Sequence, residues 1–319
     1  MNNKIIHSIS STIRFIPLLG LLASAPTALA GKLVLTPTQV APDVYVVVGA
    51  LGAQTYENDG LNNNPGFVIG EDGVLVINSG PSVRVAKALH QAIGKITKRP
   101  VKWVVNVNSQ NHNWLGNGYF KSIGARLLAH HEADRVMREM GEAQMETSKA
   151  LLKDKLAGTA LTYATEVVGD KHELALGGIM AELRHFGPAH TPGDMVVWLP
   201  RQKIMFAGDI VFTERMLGVI DIGSSAGWVR AFDQMASLHP QIIIPGHGHP
   251  TGIEQARRDT YDYLTFLRME VKQSLDKDES MQDAVDRIDQ SRFRRLKNFD
   301  ALAKRNANRV YLEMEKEAF

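Results

Sequence analysis

The chain has 319 residues, 44% hydrophobic and 22% charged, an ordinary globular composition with enough apolar material for one large core. Thirty-six basic residues stand against thirty-four acidic ones, a net charge of +2, so neither a nucleic-acid footprint nor a single-sign steering field is present. There is no cysteine, which suits an oxidising compartment and excludes thiolate metal ligands and nucleophiles.

Residues 1–30 read as a signal peptide. Lys4 and Arg14 precede the apolar run Phe15 to Ala23, and Ala28-Leu29-Ala30 fits the small-x-small cleavage rule. The run is short for a membrane span, although an uncleaved anchor is the alternative. A periplasmic or secreted mature chain is expected from Gly31, with no stable membrane anchor after cleavage.

From Lys32 to Val48, the runs Leu33-Val34-Leu35 and Val44 to Val48 predict two strands. Gly66 to Gly70 and Gly73 to Ile77 predict a hairpin across Glu71-Asp72. Its second strand ends in Asn78-Ser79-Gly80. Ser82 caps an amphipathic helix with Val83, Ala86, Leu89 and Ile93 on one face, running to Thr97. Val101 to Val107 reads as a strand covered on both faces. It stops at Asn108-Ser109-Gln110-Asn111-His112-Asn113, at the carboxyl end where ligands bind in open α/β sheets. A short helix over Tyr119 to Ile123 and a strand over Ala125 to Ala129 follow, the latter ending in His130-His131. Glu132 to about Leu156 predicts a long polar helix. Its Met137, Met140 and Met145 suit core packing or a flexible lid better than a pocket.

The second half repeats this grammar. Strands are predicted over Ile179 to Phe186, Met195 to Leu199, Lys203 to Ala207 and Gln241 to Ile244, with a helix over Gly227 to Leu238. Gln255 to Leu275 and Met281 to Phe319 read as charged, solvated outer helices, a C-terminal extension over 255–319 of one domain spanning 31–319.

Three local motifs sit at strand ends in this half: Ala189-His190-Thr191 with Gly193-Asp194, Phe206-Ala207-Gly208-Asp209, and Ile244-Pro245-Gly246-His247-Gly248. Together with Asn108 to Asn117 they resemble the motif set of the metallo-β-lactamase superfamily. That family writes His-x-His-x-Asp-His, with Gly-Asn two residues later in some branches. Counting back from Gly116-Asn117, the positions are occupied here by Asn108, Gln110, His112 and Asn113. The family's supporting Asp falls on Asn78. The resemblance implies a four-layer αββα sandwich with extra C-terminal helices, where periodicity alone also allows a doubly wound sheet. Arg305 to Glu313 further resembles the last helix of an exported branch that includes zinc metallohydrolases of the quinoprotein relay system.

The resemblance also implies the site. His190, Asp209 and His247 take metal-ligand positions, Asp209 being the carboxylate that normally bridges two ions. The former three-His site becomes Asn108, Gln110 and His190, and an amide oxygen is a weak neutral ligand. The second site keeps His112, Asp209 and His247, two imidazoles and a carboxylate, a credible set for one zinc ion if His112 fills the space of the lost Asp. Two functions follow. One is a single-metal hydrolase with Asp209 and His112 as catalytic residues, Asp209 orienting water while Asn108, Gln110 and Asn113 contact a small-molecule substrate of unknown identity. The other is a non-catalytic periplasmic binding or accessory protein on the same fold, because amides of similar volume preserve a polar pocket while removing charge.

His130 is expected to support the site from behind, and His131 and His249 are alternative ligands. His90 and His185 read as packing or surface residues. Gly-rich phosphate loops, nucleophile elbows and serine triads are absent.

Overall fold

The structure is a computed structural model whose described residues are Met1 and 31–318; the leader reading on residues 1–30 lies outside them. Strands β1 (Thr38–Ala41), β2 (Val44–Val46), β3 (Gly66–Ile69), β4 (Val74–Ile77), β5 (Val101–Asn106), β6 (Arg126–His130) and β7 (Glu166–Val168) form the first sheet in chain order. Strands β8 (Lys171–Ala175), β9 (Met180–His185), β10 (Met195–Leu199), β11 (Ile204–Phe212) and β12 (Ile242–His247) form the second, again in chain order. The helices are α1 (Val83–Ile96), α2 (Asn111–Trp114), α3 (Asn117–Ser122), α4 (His131–Leu152), α5 (Ser225–Ala236), α6 (Ile253–Ala256), α7 (Asp262–Leu275), α8 (Met281–Arg287) and α9 (Phe299–Glu317).

The layering follows from alternation along the strands. Leu75, Ile77 and Val105 of the first sheet meet Leu183, Val197, Phe206 and Ile244 of the second in one core between the sheets. Their neighbours Val74, Val76 and Val104 point the other way, against Val85, Leu89 and Ile93 of α1 and Phe120 of α3. Val196, Trp198, Met205 and Ile243 face outward from the second sheet, onto α5, α7 and α9. Because both faces are covered, these strands read as continuous apolar runs. The result is the expected αββα sandwich. The C-terminal helices belong to its outer layer, since Tyr263, Leu267, Ala307 and Val310 share a core with β10 and β11.

Several elements differ from expectation. Leu33-Val34-Leu35 forms no strand. Leu33 and Leu35 lean on the outer core while Val34 stays exposed, and the first ladder begins at Thr38. Strands β7 and β8 were not expected from the sequence. Each is a short edge, pairing on one side only with β6 and β9, and each carries charged residues that blunt an edge and mask its period. Strand β11 continues beyond Ala207 to Phe212, with an irregular register around Gly208. The long C-terminal helix is broken into α8, a 3₁₀ turn over Ser291–Phe293 and α9, whose N-cap Asn298 sits at φ 66°. Helix α4 ends at Leu152 and passes into a 3₁₀ turn over Lys153–Leu156.

Helix α9 is tied to the second sheet's loops by one buried amide. The Asn306 Oδ1 accepts from the Val219 backbone N–H at 2.9 Å, and its Nδ2 donates to the Leu217 carbonyl at 2.8 Å and to the Tyr263 hydroxyl at 3.0 Å. Asn306→Ala strands these groups away from water. The expected loss is about 2–3 kcal/mol, read as a lower urea midpoint at unchanged slope. A midpoint equal to the parent's would remove this amide from the forces that hold α9.

Candidate metal centre

The carboxyl ends of β5, β11 and β12 and the turn between β9 and β10 converge on one spot. The β5 end is shaped by Asn78, whose own φ of 61° leaves its Oδ1 to accept from the Val107 N–H at 3.0 Å. The chain then turns into α2. There the Trp114 indole donates to the Ser109 carbonyl at 3.1 Å and to Gln144 of α4 at 2.9 Å, and Gln144 donates back to Ser109 at 3.0 Å. Helix α4 thus fixes the loop that carries Gln110 and His112.

His112, Asp209 and His247 come together, all buried, with one ligand atom from each within 4.8 Å of the others. The His112 Nε2 lies 3.8 Å from Asp209 Oδ2, and the His247 Nε2 lies 3.6 Å from Asp209 Oδ1. Neither Asp209 oxygen has a hydrogen-bond partner, and nor has His112 Nε2. Tautomers follow from the opposite ring nitrogens. The His247 Nδ1 donates to the Asn62 carbonyl at 2.6 Å, and the His112 Nδ1 lies 3.3 Å from the Asn111 Oδ1. Both Nε2 atoms therefore face the carboxylate.

Burial alone would raise the Asp209 pKa, but the imidazoles of His112, His247 and His190 outweigh it and hold the carboxyl well below its usual range. Burial keeps His247 well below the ordinary imidazole value, so it stays neutral. Close by, the Arg215 guanidinium donates to the Gly52 carbonyl at 3.1 Å and lies 3.0 Å from His247 Nδ1. Gly246 is required by contact. A Cβ there would stand 2.1 Å from Asp209 Oδ1 and 2.7 Å from the Gly208 carbonyl carbon.

The other positions singled out in the sequence do different work. Asn108 is fully buried and spent on the scaffold. Its Nδ2 donates to Asp194 at 2.6 Å, while its Oδ1 accepts from the Gln110 N–H at 2.7 Å and from Asn113 at 3.1 Å. The Asn113 Oδ1 in turn accepts from Asn63 at 2.7 Å. Asp194 takes two further bonds from Thr191, and burial pushes its carboxyl up to about 7 against the pull of those donors. His190 stands outside the triad with its Nε2 2.8 Å from Gln110 Oε1, and burial lowers it to about 4.

His130 is placed in a separate cluster rather than behind the triad. It caps α4 by accepting from the Glu132 N–H, lies 3.1 Å from Asp170, and stacks on His185 with ring centroids 4.0 Å apart. His131 lies 3.4 Å from Glu132 and His249 2.8 Å from Glu214; both are exposed and neither joins the triad. His90 packs against Tyr119. Asn62, Asn63 and Arg215 escaped sequence reading. Asn62 and Asn63 lie in a Gly/Asn-rich turn that looks like a plain loop, and Arg215 has no local motif. The run Asn62-Asn63-Asn64, buried throughout, was the one signal available.

The family model of the metallo-beta-lactamase superfamily matches residues 58–247. The metallo-beta-lactamase type 2 of Bacteroides fragilis is 26% identical over 203 residues, covering 59% of this chain and 72% of that one. The 2,4-dinitroanisole O-demethylase subunit alpha of Nocardioides sp. (strain JS1661) is 20% identical over 181 residues, or 56% of this chain; the match spans only 50% of that relative's length. Among solved structures, the inverting sec-alkylsulfatase Pisa1 from Pseudomonas sp. superposes with a TM-score of 0.68 at 16% identity, over 87% of this chain and 50% of that one. With more than half of its length matched by the family model and the αββα sandwich in place, this chain belongs to the metallo-β-lactamase superfamily.

Proposed function

We propose that the protein is a metal-dependent hydrolase that works with one zinc ion held by His112, Asp209 and His247. The observation that carries this reading is the pair of unpartnered Asp209 oxygens facing two imidazole Nε2 atoms in a buried site. A buried carboxylate whose two oxygens take no hydrogen bond is costly unless a cation completes the site. Two nitrogens and a carboxylate suit zinc, with one position left open. The other half of the ancestral site is closed to metal by chemistry: Asn108 and Asn113 have their oxygens occupied by N–H donors.

Bound there, the ion supplies Lewis acidity toward a substrate oxygen and makes water more acidic. The chain supplies the rest. Asp209, ionised at neutral pH, accepts a hydrogen bond from the attacking water and orients it. His190 is neutral and donates from Nε2 to Gln110 Oε1, which fixes the Gln110 amide and leaves its N–H groups to donate to substrate. The Asn62 carbonyl holds the His247 ring in the ligating tautomer. The relatives are named for different substrates, so the reacting bond is not inherited with the fold. The leader pattern of residues 1–30 and the absence of cysteine support action outside the cytoplasm. The self-satisfied amides of Asn108 and Asn113 favour a second reading, a binding protein that has lost the reaction.

Purified without chelator and offered zinc, the protein is expected to carry about one equivalent. His112→Ala, Asp209→Ala and His247→Ala should each abolish it, and Gly246→Ala should do so by displacing the carboxylate. Ester or thioester hydrolysis that disappears with Asp209→Ala would complete the case. A folded protein without metal supports the binding-protein reading instead. A second prediction tests whether Asn108 is structural. Asn108→Asp sets a carboxylate against Asp194 in a buried site and should cost about 3 kcal/mol or more. The folded pair then holds a proton that the unfolded chain releases, so the loss should grow as pH rises. Equal stability of parent and variant across that range would refute the scaffold role.

A further inference from the structure

Beside the metal centre runs a groove of about 330 Å³, floored by Gln110 and walled by Met140 and Ala143 of α4, by Ile220 and Ile222, and by Arg305 of α9. Its walls are largely apolar, and Met140, on the outer side of α4, is 38% exposed. Its polar groups are unequal. The acceptors are mostly engaged: the Gln110 Oε1 by His190, the Gln144 Oε1 by Trp114, and the Asn111 Oδ1 by the His112 N–H. Asp221 is neutralised by an ion pair with Arg309. What stays free is donors. The Gln110 Nε2 has no partner among the described residues, and Arg305, exposed at the groove wall, has no ion pair or hydrogen bond there. A groove with apolar walls, an unneutralised guanidinium and idle amide N–H groups is complementary to an amphiphilic anion.

We propose that this groove selects substrates carrying an aliphatic chain and a carboxylate, with Arg305 as the residue that holds the carboxylate. The proposal deepens the hydrolase reading and rests on it for the word substrate, but the binding step stands alone. Arg305 belongs to the C-terminal helices, outside residues 58–247 matched by the family model. The guanidinium meets the carboxylate in two parallel N–H···O bonds while the chain lies along Met140, Ile220 and Ile222.

The test is calorimetric titration with octanoate, octanol and octylammonium, on the protein as purified and again after chelator treatment. Octanoate should bind, and the alcohol and the amine about tenfold more weakly or less. Arg305→Ala should lower octanoate affinity about tenfold while leaving octanol unchanged. Arg305→Lys should restore part of the loss, and Arg305→Glu should turn the preference toward octylammonium. The same pattern in chelated protein assigns the carboxylate to Arg305 rather than to the metal. Octanoate affinity indifferent to Arg305→Ala, or octylammonium bound as tightly as octanoate by the parent, overturns the proposal. Metal stoichiometry, measured on the same samples, reports separately on the hydrolase reading. The groove can therefore fail with the metal centre intact, and the reverse.

Discussion

A carboxylate buried without a hydrogen bond is among the least comfortable groups a protein can contain. Asp209 is such a group, and much of the local structure exists to place it. Strand β11 runs on past its expected end and carries the residue to His112 and His247. Gly246 on the neighbouring strand has no side chain because the Asp209 oxygen occupies the space where a Cβ would stand. His112 and His247 present their Nε2 atoms to the two oxygens, and Arg215 stands behind His247. Three elements from two sheets bring these groups together.

The opposite side of the site has been relieved. The family's ligand positions Asn108 and Asn113 are tied into a chain of hydrogen bonds instead: Asn63 to Asn113, Asn113 to Asn108, Asn108 to Asp194. Amides suit this use because each offers donors and acceptors in one plane; the Asn108 and Asn113 oxygens are both filled, whereas the Asn63 Oδ1 at the end of the chain has no partner. The contrast between satisfied amides and unsatisfied triad separates structural from chemical positions more sharply than residue identity does. Within a span of six residues, Asn108 and Asn113 belong to the scaffold, His112 belongs to the site, and Gln110 belongs to both.

Much of this fold could be read from the sequence because its strands are covered on both faces and its helix α1 is capped by Ser82 in the ordinary way. Edge strands escaped because charge on β7 and β8 hides their period, and Leu33 to Leu35 misled because apolar alternation also serves a segment lying flat on a core. In the site, motifs located His190, Asp209 and His247, and counting from Gly116-Asn117 located the replaced positions. The resemblance grouped His112 with Asp209 and His247, and the structure brings those three together, although the count by itself could not show that the β5 loop sits against β11 across the sandwich. Nor could it show that His190 turns to Gln110, or that Asn63 and Arg215 take part. Those facts depend on contacts between segments far apart in the chain, and local pattern carries no information about them.

The C-terminal helices change meaning in the same way. As sequence they are charged and amphipathic, which reads as a solvated outer layer. In the fold, two adjacent residues of α9 face two different tasks. Asn306 is buried and pins the segment from Leu217 to Val219, while Arg305 is exposed on the wall of the groove that this segment leads into. One helix thus positions a loop of the groove and supplies its free cation. Truncating the chain before α9 would therefore remove both the support and the charge, even though every metal-ligand position lies upstream. The groove and the His112–Asp209–His247 triad are assembled from different parts of the chain, and Gln110 links the groove to His190, which it holds at 2.8 Å.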